Sequence, residues 1–253
     1  MIFFLRLLPV IGAVWLLVFF RLALGSPTMF WYYAGTAVLG TLASLWLLIR
    51  HAKLPQGRWS ILAFPTLTLI AVVGVLLFSE RAALQGVLLV GLASLFALYT
   101  EQLFRFTHAP ARYQPNALVN LGYVFAVLSI FFVSLTVFDL QLFANVPLWL
   151  AVSIFVVIAT LWCVMVFRFV DAPSAYRWPW GLTLGIVMVE VFALMAWLPV
   201  LPFVKAATLA LIVTVVLQRV RDDVSGAAKP KRWTTVVLLA MLLFVLVTAR
   251  WFA

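Results

Sequence analysis

Long apolar runs separated by short polar connections recur along the whole chain. Each run is continuous rather than alternating, so it matches helices and not the roughly 10-residue strands of a membrane barrel. About 20 residues at 1.5 Å rise per residue reach across a hydrocarbon core of about 30 Å. The pattern predicts nine such helices, near residues 4–24, 29–49, 59–79, 82–103, 116–137, 147–168, 178–197, 203–219 and 233–251. The expected fold is therefore all-α, a polytopic integral membrane helix bundle that forms a single domain over residues 1–253.

Proline and tryptophan follow the same division. Ten of the twelve prolines fall in connections or at helix edges, and Pro9 falls in a first turn. A proline there loses no intrahelical hydrogen bond. Pro65 alone is expected to kink a helix interior. Trp31, Trp59, Trp149, Trp178, Trp180, Trp197, Trp233 and Trp251 lie near predicted helix ends, where an aromatic belt meets the headgroups. The stretch "WLPVLPFVK" (197–205) admits a hairpin or one broken helix. A single helix over 178–219 would be about 63 Å long, twice the core, so a hairpin is expected. The N-terminal run carries Arg6 and is interrupted by Arg21, which favours a retained first helix over a cleaved leader.

Composition makes the lipid setting explicit. Of 253 residues, 67% are hydrophobic and 9% are charged, with a mean hydropathy of +1.21. Soluble domains carry about 25% charged residues, so there is too little polar material here for a water-facing surface. The net charge of +10 is concentrated in connections. Thirteen of the seventeen Lys and Arg lie at the N-terminus or after the second, fourth, sixth and eighth helices. The others are Arg21, Arg81, Lys205 and Arg250. This asymmetry predicts a cytoplasmic N-terminus and an outer C-terminus in the cytoplasmic (inner) membrane. Basic loops fit anionic headgroups of the lipid bilayer, and no segment is long enough to read nucleic acid. The lone Cys163 sits in an apolar run and reads as a small buried side chain.

The chemistry of interest is in "LGIVMVEVFALMAW" (184–197). Glu190 falls at mid-span of the seventh helix, where a charge costs from about 3 to more than 10 kcal/mol. Its helical face includes Thr183, Val187, Leu194 and Trp197, while Gly181 and Gly185 lie about 140° away. Both sides are expected to be buried. In a structural reading Glu190 hydrogen-bonds a hydroxyl such as Ser94, Ser129, Ser153, Thr160 or Thr214. In a functional reading it is a proton or cation site, or it meets a partner's membrane helix. A second candidate is a polar cytoplasmic cluster of Glu101, Asn120, Tyr123 and Arg105, with Glu101 and Arg105 at i, i+4 spacing. Small-residue stripes mark packing faces: Thr36/Gly40/Ser44, Gly181/Gly185 and Ala206/Ala210/Thr214.

No metal set, no cofactor-binding fingerprint and no nucleophile–base arrangement emerges. Asp222 and Asp223 read as solvated loop charge, and the two histidines, His51 and His108, fall in separate loops. Nothing positive favours an enzyme.

The segments "ALYTEQLF" (97–104), "VEVFALMAWLPVLPFVKAATLALIV" (189–213) and "LVTARW" (246–251) resemble a family of uncharacterised multi-pass membrane proteins of candidate-phylum bacteria with small genomes. That resemblance implies a bacterial cytoplasmic membrane and brings no activity, cofactor or site residue. The function expected is a scaffold or subunit of a membrane assembly, with a membrane-protein partner or a homo-oligomer. The alternative is a small transporter or channel that uses Glu190.

Overall fold

The computed structural model describes residues 2–50, 58–114, 116–169, 174–198 and 200–225, together with Val236 and Ala240. All regular structure among the described residues is helical. The helices are α1 (Ile2–Gly25), α2 (Phe30–Ile49), α3 (Arg58–Phe78), α4 (Ala82–His108), α5 (Ala117–Phe143), α6 (Leu148–Phe169), α7 (Ser174–Trp197) and α8 (Pro202–Ser225). Six stretches are long and apolar enough to cross a membrane: Leu5–Gly25, Pro27–Ile49, Ile61–Phe78, Ala82–His108, Ala117–Phe143 and Leu148–Val166. Gly181–Trp197 and Pro202–Val215 are shorter apolar helices. The expected ninth span, 233–251, lies almost wholly outside the described residues.

Starts agree with the sequence reading better than ends. Helix α4 runs to His108 instead of 103, α5 to Phe143 instead of 137, and α8 to Ser225 instead of 219. Hydropathy marks where lipid contact ends, whereas a helix runs on until a breaker stops it. Pro110 follows α4, and Asn145 turns the chain after α5 with φ of 51°. Asparagine enters that left-handed region at small cost. Asp222 and Asp223 therefore belong to α8, and His108 is the last residue of α4 rather than a loop residue. At its start, α7 begins a turn earlier than expected and takes Pro179 inside the helix. The hairpin expected at 197–205 is present, with α7 ending at Trp197 and α8 opening at Pro202.

The chain forms two compact units, Met1–Phe125 and Ala126–Ala253. In the first, α1 packs antiparallel on both α2 and α4. Gly12 lies against Ser44 of α2 and Phe96 of α4, and three residues further along α1 the Trp15 indole covers Gly40. The indole Nε1 of Trp15 donates to the Thr36 carbonyl at 2.9 Å. A side chain on Gly40 would occupy the position of that ring and displace the indole. Tyr99 of α4, fully buried, donates to the Ile61 carbonyl of α3 at 2.8 Å and meets the Phe125 ring edge-on. Thr68 of α3 donates to the Phe125 carbonyl at 3.0 Å.

In the second unit α6 and α7 approach most closely at Gly181 and Gly185. A Cβ on Gly185 would lie 2.8 Å from Thr160 Oγ1 and 3.2 Å from the Thr160 Cα, and one on Gly181 would lie 2.9 Å from Val164 Cγ2. Trp162 is buried and donates from Nε1 to the Ala126 carbonyl at 3.1 Å and to Ser129 Oγ at 2.7 Å. The rings of Phe138, Phe192 and Phe155 stack in sequence across α5, α7 and α6, with centroids 4.5 and 4.3 Å apart.

Outward faces carry large apolar side chains along their whole length. Val87 is 72% exposed and Leu194 is 68% exposed, with Leu39, Val90, Val157 and Ile186 similarly uncovered. Scattered single residues of this kind are ordinary, but continuous apolar outer faces on helices of this length are suited to lipid.

The two glycine contacts make opposite predictions from a glycine in open space. Gly185→Leu forces backbone apart, and overpacking of this kind costs about 1–3 kcal/mol, or roughly 2–12 °C in midpoint for a protein of this size. Gly91, with no atom within 4 Å of an added Cβ, accepts alanine with an unchanged or slightly raised midpoint. Thermal unfolding in detergent followed by size-exclusion fluorescence reads both.

Candidate functional site

Glu190 projects from α7 on its uncovered side. Buried Leu184, Gly185, Met188 and Phe192 occupy the side that faces α6, whereas Leu182, Thr183, Ile186, Val187, Glu190, Leu194 and Trp197 are exposed. The 3.6-residue period places these on one stripe. The expectation that α7 buries two sides is thus met on the glycine side alone among the described residues. The cause is local: two glycines give α6 close access on one side, while branched and long side chains fill the other.

Three of the five hydroxyls expected to receive Glu190 (Ser129, Ser153 and Thr214) bond to carbonyls in their own helices, as does Thr183. Thr183 donates to the Pro179 carbonyl at 2.9 Å, Ser153 to Trp149 at 2.7 Å and Thr214 to Ala210 at 2.7 Å. Ser129 donates to the Ala126 carbonyl at 2.8 Å while accepting from Trp162. Thr160 faces Gly185 on the opposite side of α7. A hydroxyl in a helix satisfies its donor most cheaply on the carbonyl one turn back, which needs no neighbour. Glu190 makes no hydrogen bond or ion pair with any described residue, and Thr183 shares its stripe without bonding to it.

Of the four residues in the expected polar cluster, Glu101 and Arg105 form a direct pair. Glu101 Oε1 accepts from Arg105 Nε at 2.8 Å, an i, i+4 pair with both side chains a little over a third exposed. The extension of α4 to His108 sets this pair inside the helix. Arg105 and His108 in the last turn also oppose the negative end of the helix dipole. The Glu101 carboxylate bonds within its own helix and not to α5. Asn120 is exposed and Tyr123 half-buried on the first part of α5. Beside the pair, Gln102 buries its Oε1 without a hydrogen bond from any described residue.

Two further charged residues, Asp139 and Lys205, lie outside the expected sites. Asp139 is 9% exposed in the last turns of α5, separated from Val133 by five apolar or hydroxyl residues in "VSLTVFDLQLF". Ending the fifth helix at 137 left this residue in a connection, although no proline or glycine separates it from the apolar run. Lys205, at the start of α8, donates from Nζ to the Ala196 carbonyl of α7 at 3.3 Å and lies 5.5 Å from the Phe138 ring centroid. That ammonium completes the α7–α8 hairpin by capping a carbonyl near the end of α7 and resting on an aromatic face. Among the described residues no group of three or more His, Cys, Asp or Glu is placed to hold a metal. Cys163 is free and buried.

The Glu101–Arg105 pair is expected to contribute little, because a part-exposed i, i+4 pair is worth about 0.3–0.5 kcal/mol. A double-mutant cycle of Glu101→Gln and Arg105→Gln, read by unfolding in detergent, should return a coupling of that size. A value several times larger would assign Glu101 a further partner.

No protein-family model matches the chain, and neither the curated proteins nor the solved structures contain a match. No activity, ligand or partner is therefore carried over from a relative, and the functional reading rests on the chain's own residues.

Proposed function

We propose that this chain is a nine-span protein of a bacterial cytoplasmic membrane, with its N-terminus in the cytoplasm, and that it acts as a scaffold or subunit of a membrane assembly. The six long apolar helices support residence in a bilayer, and the distribution of Lys and Arg supports the orientation. The observation that carries the assembly reading is Glu190. A carboxyl at the middle of an apolar, uncovered helix face is costly against lipid and becomes favourable when a partner's helix offers a donor or cation. Leu182, Ile186 and Leu194 on the same stripe would supply the apolar part of that contact.

The transport alternative needs a hydrated cavity at Glu190.

A photo-reactive amino acid at Ile186 or Leu194 should give a discrete cross-linked adduct in native membranes, and one at buried Met188 should not. Glu190→Leu should reduce that adduct by about tenfold or more, the loss of one hydrogen bond to a charged or acidic group. Glu190→Gln should retain part of it, and neither variant should lower the amount of membrane-inserted protein. Labelling that is diffuse, or unchanged in Glu190→Leu, refutes the reading.

A further inference from the structure

The outer faces of α1 and α4 flank an open groove of about 500 Å³. Antiparallel packing pairs Leu17 and Val18 of α1 with Leu89 and Val90 of α4 at one end, and Arg21 with Gly86 at the other. The groove is therefore apolar along its length, with Arg21 at the rim nearest the α1 C-terminus. Gly86 gives it depth at the level of the guanidinium, since no atom lies within 4 Å of where its Cβ would be.

Arg21 is the single charged residue lining the groove. It is exposed and makes no hydrogen bond or ion pair with a described residue. Glu80 and Arg81 precede α4 but do not line the groove, so its charge is positive and uncompensated. Arg21 stands four residues before the end of α1, about 6 Å along the helix axis. That is within reach of the headgroup layer for a long side chain that keeps its stem on apolar surface.

A ligand that matches these features is anionic at one end and alkyl at the other, oriented as a lipid in the leaflet is. We propose that the groove binds an anionic phospholipid, with one acyl chain between α1 and α4 and the headgroup phosphate on Arg21. The guanidinium fork suits two phosphate oxygens and remains charged at any accessible pH. The inference rests on residence of the chain in a bilayer and is independent of what meets Glu190.

Native mass spectrometry of the purified protein in detergent, with dioleoyl phosphatidylglycerol and dioleoyl phosphatidylcholine added in equal amounts, tests this. The wild-type chain should retain one phosphatidylglycerol in preference to phosphatidylcholine. Arg21→Gln should lower that preference about fivefold, as expected for removing one basic contact to an anionic headgroup, and Arg21→Lys should keep most of it. Gly86→Phe, which fills the groove without meeting another atom at its Cβ, should reduce retention of both lipids. Equal retention of the two lipids by the wild type, or an unchanged preference in Arg21→Gln, overturns the proposal. Release of the wild-type chain from membranes by alkaline carbonate would instead remove the bilayer reading on which it stands.

Discussion

A polar donor surrounded by apolar side chains has few acceptors, and here the neighbouring helix backbone supplies them. Helical carbonyls already accept one bond but retain a second lone pair. Trp15 uses the Thr36 carbonyl, Tyr99 that of Ile61, Thr68 that of Phe125, Trp162 that of Ala126 and Lys205 that of Ala196. Each bond joins two helices, and each fixes one rotation of a helix that hydrophobicity alone leaves undefined. In lipid such bonds are worth about 0.6 kcal/mol on average and up to about 2. Their role is therefore to choose a register more than to supply stability.

Close approach is the complement of that constraint. A carbonyl can be reached across a helix pair only where the axes come near. Gly12 and Gly40 bring α1 close to α2, where Trp15 makes its bond, and Gly181 and Gly185 bring α6 close to α7. The same glycines decide what is left outside. By drawing α6 onto one side of α7, Gly181 and Gly185 turn Glu190 away from α6. The exposed carboxyl and the tight glycine seam are two consequences of a single helix rotation.

The proposed lipid groove follows a related logic on α1. Trp15 and Gly12 commit one side of that helix to α2, and Gly12 also meets Phe96 of α4. Nearer the end of α1, Gly86 removes side-chain volume from α4 and leaves the helices flanking a cleft. Arg21 falls at the rim of that cleft because it lies nine residues after Gly12 and six after Trp15, on the side those contacts leave open.

Much of the architecture was written in the sequence by itself. The positions of eight helices, the 197–205 hairpin and the small-residue faces at Thr36/Gly40/Ser44 and Gly181/Gly185 follow from hydropathy, proline and glycine. These signals are local, carried by each segment before any of them pack. Helix ends at His108, Phe143 and Ser225 were less legible, because charge ends a hydrophobic run without ending a helix. For the same reason Asp139 was assigned to a connection. The Glu101–Arg105 pair was also readable, being set by spacing along one helix. What only the tertiary structure decided is which side of each helix faces a neighbour. Whether Glu190 is covered, whether Glu101 reaches Asn120, and whether Arg21 borders a cleft all depend on helix rotation. That rotation is fixed by contacts between residues far apart in sequence, such as Trp15 with Thr36 and Gly185 with Thr160, and no local pattern encodes it.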